Sequence, residues 1–495
     1  MSASDLFRPI AAEQLTHWLF SELANRDSVF GIPKQHFFVP DPEATYRTQA
    51  FGRVLDTPFG PAAGPHSQMA QNIVAAWLCG ARYIELKTVQ TLDELNVSKP
   101  CIDMEDEGYN VEWSQELKVH QSLEEYVRAW VLIHALHHKL GYPGDVPAVF
   151  NLSVGYDLAG LRQANMQWFL DQVADCSDAK AEVIDAVARY YPPVRDVDIP
   201  DQLSDNVTLS TMHGCPPGEI ESICEYLLHD RNLHTLVKCN PTLLGAEKVR
   251  RLINKDLGFR DVVVPDIAFE HDLKYGDAVP MLRRLQATAA TRGLEFGVKL
   301  SNTLEVENRR DVFSADEKMM YLSGRPLHAL TVNLAAKLGQ EFEGGLPMSF
   351  SAGASCYNAS NLLRAGMQTI TVCSDLLKTG GYLRLLDYIK AVEDVDLNPK
   401  DSLAYLRRYA EDVCSDPDNM KSEFVTSASK TKRELELFDC IKAPCIDVCP
   451  LEQKVPQYMA EVRQDDITAA QRVVHADNPL PCTLGRICDH QCEHA

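Results

Sequence analysis

The stretch VTLSTMHGCPPGEIESICEYLLHDRNLHTLVK, residues 207–238, holds the pattern that decides the fold. It opens on a short apolar run rich in β-branched residues, Val207–Ser210, and turns through a Gly- and Pro-containing loop. An amphipathic stretch follows, and a second run, Thr235–Lys238, closes the unit. Strand, loop, helix and strand in that order make a βα unit, and the helix carries the chain back so that the two strands lie parallel. The same alternation extends outward from about residue 45 to about residue 390. Further candidate strands are Tyr83–Leu86, Ala148–Val154, Phe296–Leu300, Leu330–Val332, Met348–Ser351 and Thr369–Val372. Eight such runs suit an α/β fold of the (β/α)8 TIM-barrel type, which sets its chemistry on the loops that follow the strands.

Past the barrel pattern, Leu397–Lys430 is charged and polar, with a Pro, a Ser-rich end and one plausible helix, and reads as a linker. The expected division is a barrel with an N-terminal extension over 1–395, a linker over 396–430 and a cysteine-bearing helical domain over 431–495. Helices are expected there at Val455–Arg463 and Ile467–Val474. Six of the fifteen cysteines fall in this last part, as Cys440-x4-Cys445-x3-Cys449-Pro450 and then Cys482, Cys488 and Cys492. Closely spaced thiolates ending in Cys-Pro, with a second group downstream, suit [4Fe–4S] ligation. Zinc is the rival for the same thiols, although its sites more often show paired Cys-x2–4-Cys knuckles. The cysteines scattered through the βα units read as core packing, as does Cys482. The last motif looks open at Ala495, so the chain reads as a fragment.

The formal charge of -22 and a pI near 5.1 set the protein apart from nucleic-acid and anionic-membrane binders, because like charges repel. Small molecules or proteins are the expected partners. No run of about eighteen apolar residues occurs, and the N-terminus lacks the basic-then-apolar layout of a signal peptide. A cytoplasmic protein with reduced or metal-bound thiols follows.

The loops after the strands read PFGPAAGP (58–65), IELKTV (84–89), FNLSVG (150–155), TLSTMHGC (208–215), VKCNPT (237–242), VKLSNT (298–303), SFSAGAS (349–355) and TVCSDLL (371–377). In this order they resemble the flavin barrel of dihydroorotate and dihydropyrimidine dehydrogenases. That resemblance implies FMN. Ala62, Ala63 and Gly64 would let the backbone approach a flat ring. Lys87 would place a cation at the ring's carbonyl edge with Thr88 beside it, and Asn151, Lys238, Asn302 and Thr303 would hold the ring edge and ribityl chain. Gly324, Gly353, Ala354, Cys373 and Ser374 fall where such barrels bind phosphate through backbone N–H groups.

One loop departs from the family. In the pyrimidine enzymes the loop Asn-Leu-Ser-Cys-Pro-His-Gly carries a cysteine that trades a proton with the substrate. Here it reads Thr208-Leu209-Ser210-Thr211-Met212-His213-Gly214, with Thr211 in the cysteine's place. A threonine hydroxyl is a far weaker acid than a thiol, so His213 and Cys215 join Thr211 as candidates for the proton-transfer group.

The tail resembles the helical ferredoxin domain of dihydropyrimidine dehydrogenase and of the glutamate synthase small subunit. On that pattern Cys440 and Cys445 would ligate one [4Fe–4S] cluster, and Cys449, Cys488 and Cys492 the other. The family's earliest cysteine is Leu437 here, and a further ligand is expected after Ala495. Both modules in this order, with TMHGCPP, KCNPTLLG, GVKLSNT and ICDHQC, resemble the family described as selenate reductase subunit YgfK. The resemblance implies an iron–sulfur flavoprotein oxidoreductase that moves electrons between barrel FMN and the clusters. Its substrate would be a small molecule or a redox protein, the latter a molybdenum hydroxylase-type subunit. FAD and NAD(P)H would belong to an absent C-terminal region, since no Gly-x-Gly-x-x-Gly occurs here. Two other functions fit the same residues: an electron-transfer or docking subunit with a silent barrel, and a phosphate-binding barrel enzyme with a zinc tail.

Overall fold

The computed structural model describes residues 9–93, 102–105, 109–110, 115–145, 147–210, 213–309, 316–378, 380–395, 401–421, 443–490 and 492. Eight parallel strands form the barrel: β1 (Phe59–Pro61), β2 (Tyr83–Glu85), β3 (Val149–Val154), β4 (Asn206–Leu209), β5 (His234–Cys239), β6 (Phe296–Leu300), β7 (Met348–Phe350) and β8 (Thr369–Val372). Hydrogen-bonded neighbours run β1-β8-β7-β6-β5-β4-β3-β2. Between β2 and β1 the Arg82 N–H donates to the Phe59 carbonyl at 2.9 Å. A side chain on Gly60 would put its Cβ 1.6 Å from the Tyr83 carbonyl, so the close approach at this seam requires glycine. Strands β3, β4, β6 and β8 are buried at every residue, as helix-covered parallel strands are, and this is why they read as apolar runs.

Seven of the eight expected runs are barrel strands. Leu330–Val332 is the exception, because it lies inside the helix His328–Glu341. A three-residue apolar run carries no period of its own, and here Gly324 and Pro326 start a turn that feeds straight into that helix. The missing strand is β1, whose sequence Phe-Gly-Pro hides it behind two poor strand formers.

The two ends of the barrel are closed differently. At the N-terminal end the hairpin Thr48–Ala50/Arg53–Leu55 inserts Ala50, Phe51 and Leu55 against Tyr83, Val149 and Leu236. At the other end a small sheet of Leu304–Glu307, Met319–Leu322, Ile102–Asp103 and Tyr109–Asn110 rises from the loops after β6 and β2. The mouth, where the loops carry the chemistry, therefore has a roof.

The segment expected as linker carries its helix at Ser402–Asp412, and this helix lies on the barrel. Leu406, Tyr409 and Ala410 are buried, the Tyr409 hydroxyl donates to His328 Nε2 at 2.7 Å, and Lys421 pairs with buried Glu105 at 2.8 Å. Residues 401–421 are thus built into the barrel body. Tyr409→Phe is expected to lower stability by about 1 kcal/mol, the net value of one buried hydrogen bond, read as a shift in the urea midpoint with unchanged slope. In the tail, helices form at Val455–Arg463 and Ile467–Asp477, as expected. Among the described residues no helix is long and apolar enough to cross a membrane.

Candidate active site

The strand ends were expected to be polar, and at the mouth those of β1, β5, β6, β7 and β8 meet around a cavity of about 490 Å³, opening included. Ala62 and Ala63 follow β1, Lys238 is the penultimate residue of β5, Asn302 and Thr303 follow β6, Gly353 and Ala354 follow β7, and Cys373 and Ser374 follow β8. All nine were expected from the sequence and all nine line the cavity. Asn302 and Thr303 are buried, and among the described residues the Thr303 hydroxyl has no hydrogen-bond partner. An orphaned buried hydroxyl is costly unless a ligand satisfies it, which fits a bound group bearing donors or acceptors.

At one end of the cavity two loops touch. Gly353 has φ +68°, and a Cβ there would come within 2.7 Å of the Gly324 carbonyl, itself on a residue with φ +74°. Beside them Asp375 is buried, but both its oxygens are engaged. Arg384 bonds them at 2.7 and 3.0 Å and the Tyr388 hydroxyl donates at 2.9 Å. With the carboxylate held by a guanidinium, this end presents small residues and backbone rather than a bare negative charge, which fits a phosphate.

The floor holds residues to which the sequence analysis gave no role. Lys299 on β6, opposite Lys238 in the β5–β6 register, reaches across the barrel to Glu85 on β2. Its ammonium also donates to the Thr371 hydroxyl at 2.6 Å, and the second oxygen of Glu85 accepts from Ala63 N–H at 3.1 Å. Lys299 is 1% and Glu85 2% exposed. Both stood in quoted loops, IELKTV and VKLSNT, but nothing in one dimension pairs them.

Near the roof lies the loop after β4. Thr211 falls outside the described residues. His213 Nδ1 donates to Asp272 at 3.2 Å, and Asp272 also accepts from the Thr242 hydroxyl at 2.8 Å and from Gly214 N–H at 3.0 Å. Burial alone would raise the Asp272 pKa, but these hydrogen bonds outweigh it and hold the carboxyl below its ordinary value. The His213 ring stacks on Tyr321 of the roof sheet, centroids 5.6 Å apart, and the Asn240 amide nitrogen lies 3.4 Å from Nδ1. Asp272 stands far from His213 in sequence, and no motif signals it. Cys215 is different: burial, with Glu219 and Asp157 adding, pushes its thiol up to about 11, which disfavours proton exchange near neutrality.

Gly324, His213 and Cys215 are not among the residues that line the cavity, and four other expected residues also lie off its wall. Asn151 is fully buried inside the barrel, donating to Asn206 at 2.7 Å and accepting from Thr208 at 2.6 Å, so its amide is committed to the core. Thr88 shares a hydrogen bond with Ser153 at 2.7 Å. Lys87 is buried, its carbonyl accepting from the Tyr126 hydroxyl at 2.9 Å. Gly64 has extended backbone, bonded through its N–H to Ser67 Oγ at 3.2 Å.

In the tail, Cys440 lies outside the described residues. Burial raises the Cys445 thiol pKa, with Cys492 and then Cys449 adding to the effect. Cys488 accepts from His490 N–H at 3.3 Å and is exposed, as is Cys482. Among the described residues no group of three or more side chains is already arranged as a metal site.

Comparison with known proteins agrees with this architecture. Residues 30–421 match the family model for oxidoreductase YgfK, N-terminal TIM-barrel domain. The chain belongs to the YgfK oxidoreductase family. Residues 418–495 match dihydropyrimidine dehydrogenase domain II, 4Fe-4S cluster, which sets the zinc reading of the tail aside. Oxidoreductases named YgfK from Escherichia coli K12 and O157:H7 are each 40% identical over 516 aligned positions, covering 99% of this chain and 49% of the relative. The chain thus spans about half the length of the curated relatives it matches. The beta subunit of an NADPH-Fe(3+) oxidoreductase from Geobacter sulfurreducens is 29% identical over 70 residues, 14% of this chain and 10% of the relative. A ligand-free dihydroorotate dehydrogenase from Eimeria tenella superposes with a TM-score of 0.45 at 16% identity, over 80% of this chain and 99% of that one.

Proposed function

We propose that this oxidoreductase seats FMN in the mouth cavity and exchanges electrons between it and [4Fe–4S] clusters in the tail, on behalf of a small conjugated substrate or a redox protein. The observation that carries the reading is the cavity wall, where the buried Thr303 hydroxyl, without a hydrogen-bond partner among the described residues, and Gly353, packed on Gly324, line one pocket. Bound FMN supplies hydride or single-electron chemistry through a planar ring. Asn302, Thr303 and Lys238 would hold it laterally, Ala62 and Ala63 would admit its face, and Gly353, Ala354 and Ser374 would receive its phosphate.

His213 is our choice for the proton-transfer residue. Asp272 fixes its Nδ1 as the donor side, which leaves Nε2 to exchange a proton, and Tyr321 holds the ring plane. Selenate receives no support from the cavity, whose donors suit a planar organic group, and the molybdenum hydroxylase-type partner rests on the family resemblance alone.

The test is an absorption spectrum of the protein purified without air, with the released cofactor identified by mass and iron counted. Flavin bands, FMN and iron are expected, and a colourless protein would overturn the reading. Thr303→Val should keep the fold and weaken FMN about tenfold, the value of one ligand hydrogen bond, by fluorescence titration of the apoprotein. Unchanged affinity would remove Thr303 from the site.

A further inference from the structure

We propose that Glu85 is a proton acceptor coupled to cofactor reduction, gated by its ion pair with Lys299. The inference rests on the FMN reading and assigns a task to the two floor residues which that reading leaves unused.

The observation is the pair itself. Lys299 and Glu85 come from strands on different sides of the barrel, meet at the floor of the cavity and are almost wholly buried, with Thr371 and Ala63 N–H also hydrogen-bonded to them. An ion pair withdrawn from water this far rarely stabilises a protein relative to an apolar filling of the same shape. The barrel axis could have been filled by apolar and aromatic side chains, as the N-terminal end is by Phe51, Leu55, Tyr83, Val149 and Leu236. A charge pair of zero net charge at the floor of a redox site has a use that apolar filling lacks, because it can change its protonation when the charge above it changes.

Two electrons and one proton delivered to the cofactor leave one negative charge in a water-poor pocket, and an uncompensated charge there is costly. Glu85 removes that cost by taking a second proton. Its carboxylate becomes a neutral carboxyl, and the Lys299 ammonium then faces the new negative charge in place of the old one. Two electrons and two protons have entered, one proton on the cofactor and one on Glu85, and the net charge of the site is unchanged. The electrons come from the iron–sulfur clusters or, in the test, from an electrode through mediators.

Other charged groups around Glu85 leave it as the carboxylate able to do this. Lys238 lines the same cavity, and Lys87, with Lys299, bears on the fully buried His66. Burial holds His66 neutral with a pKa of about 4, so it carries no charge to exchange near neutrality. Asp375 belongs to Arg384, Tyr83 below Glu85 is a buried phenol whose pKa burial raises, and Cys373 contacts His66 at 3.8 Å.

The midpoint potential of the bound flavin, measured between about pH 6 and about pH 8.5, reads the coupling. Wild-type protein should take up one proton per electron throughout, and Glu85→Gln should halve that slope. A full slope in Glu85→Gln would overturn the proposal. Should that variant not fold, the wild-type infrared difference spectrum on reduction decides: a new protonated-carboxyl band supports the assignment, and its absence refutes it. Protein that carries no FMN would sink the proposed function together with this inference, whereas bound FMN with an unaltered slope would sink this inference alone.

Discussion

Gly353→Val is expected to abolish FMN retention while the barrel stays folded. Two separate costs act at this position. The backbone sits at φ +68°, where a β-branched residue is strained by about 1–3 kcal/mol. The added Cβ would also stand 2.7 Å from the Gly324 carbonyl and 3.0 Å from the Arg325 Cα, both backbone atoms that cannot rotate away. Relief requires the β7 loop and the loop before the helix His328–Glu341 to separate, and these loops form the end of the cavity that we assign to phosphate. Binding should fall at least about a hundredfold, or about 2.7 kcal/mol, because misplacing the donors for a phosphate loses several hydrogen bonds at once. Gly218→Ala is the control. It lies on the exposed side of the helix Pro217–His229 with nothing within 4 Å of its Cβ, and should leave FMN in place while raising stability by up to about 1 kcal/mol. Equal flavin content in Gly353→Val and wild type would show that this end of the cavity holds no cofactor.

The barrel was legible because its interior strands are buried on both faces, so β3, β6 and β8 appear as short, largely apolar or β-branched runs bounded by turns. The failure at Leu330–Val332 has the same cause in reverse, since a buried helix face can show three apolar β-branched-rich residues as readily as a strand. β1 was legible only through the loop that follows it. Of the site, most of the expected residues that line the cavity stand just after strands, where position in a barrel alone assigns them to the mouth. Asn151 sits inside a strand, and its direction depends on which face of the pleat turns inward and what it meets there. Glu85–Lys299 and His213–Asp272 were invisible for a different reason. Each is a contact between elements far apart in the chain, created by closing the barrel, and single residues in a sequence carry no mark of their partners.

Stability should fall steeply between about pH 6.5 and about pH 4, above the range in which most of the carboxylates titrate. His66, His134 and His328 are each buried, and burial lowers each pKa from 6.5 to about 4. His137 is lowered in the same direction by the same cause. In the unfolded chain these imidazoles bind protons from about pH 6.5 downward, whereas in the folded protein they wait until about pH 4. Across that window the unfolded state holds more protons, so the stability present above pH 6.5 is lost as the pH drops. Each fully buried histidine contributes roughly 3 kcal/mol over the whole window, and three together approach the total stability of an ordinary domain. Glu125 and Glu461 oppose the trend, because burial raises their folded pKa values and lets the native state take up protons first. Two carboxyls against four imidazoles leave the histidines dominant. Urea midpoints followed by tryptophan fluorescence at pH 7.5 and pH 5 should therefore differ, with the lower at pH 5. Superimposable curves would mean that the buried imidazoles are charged in the folded protein, and the neutral hydrogen bond from Tyr409 to His328 would then have to be redrawn.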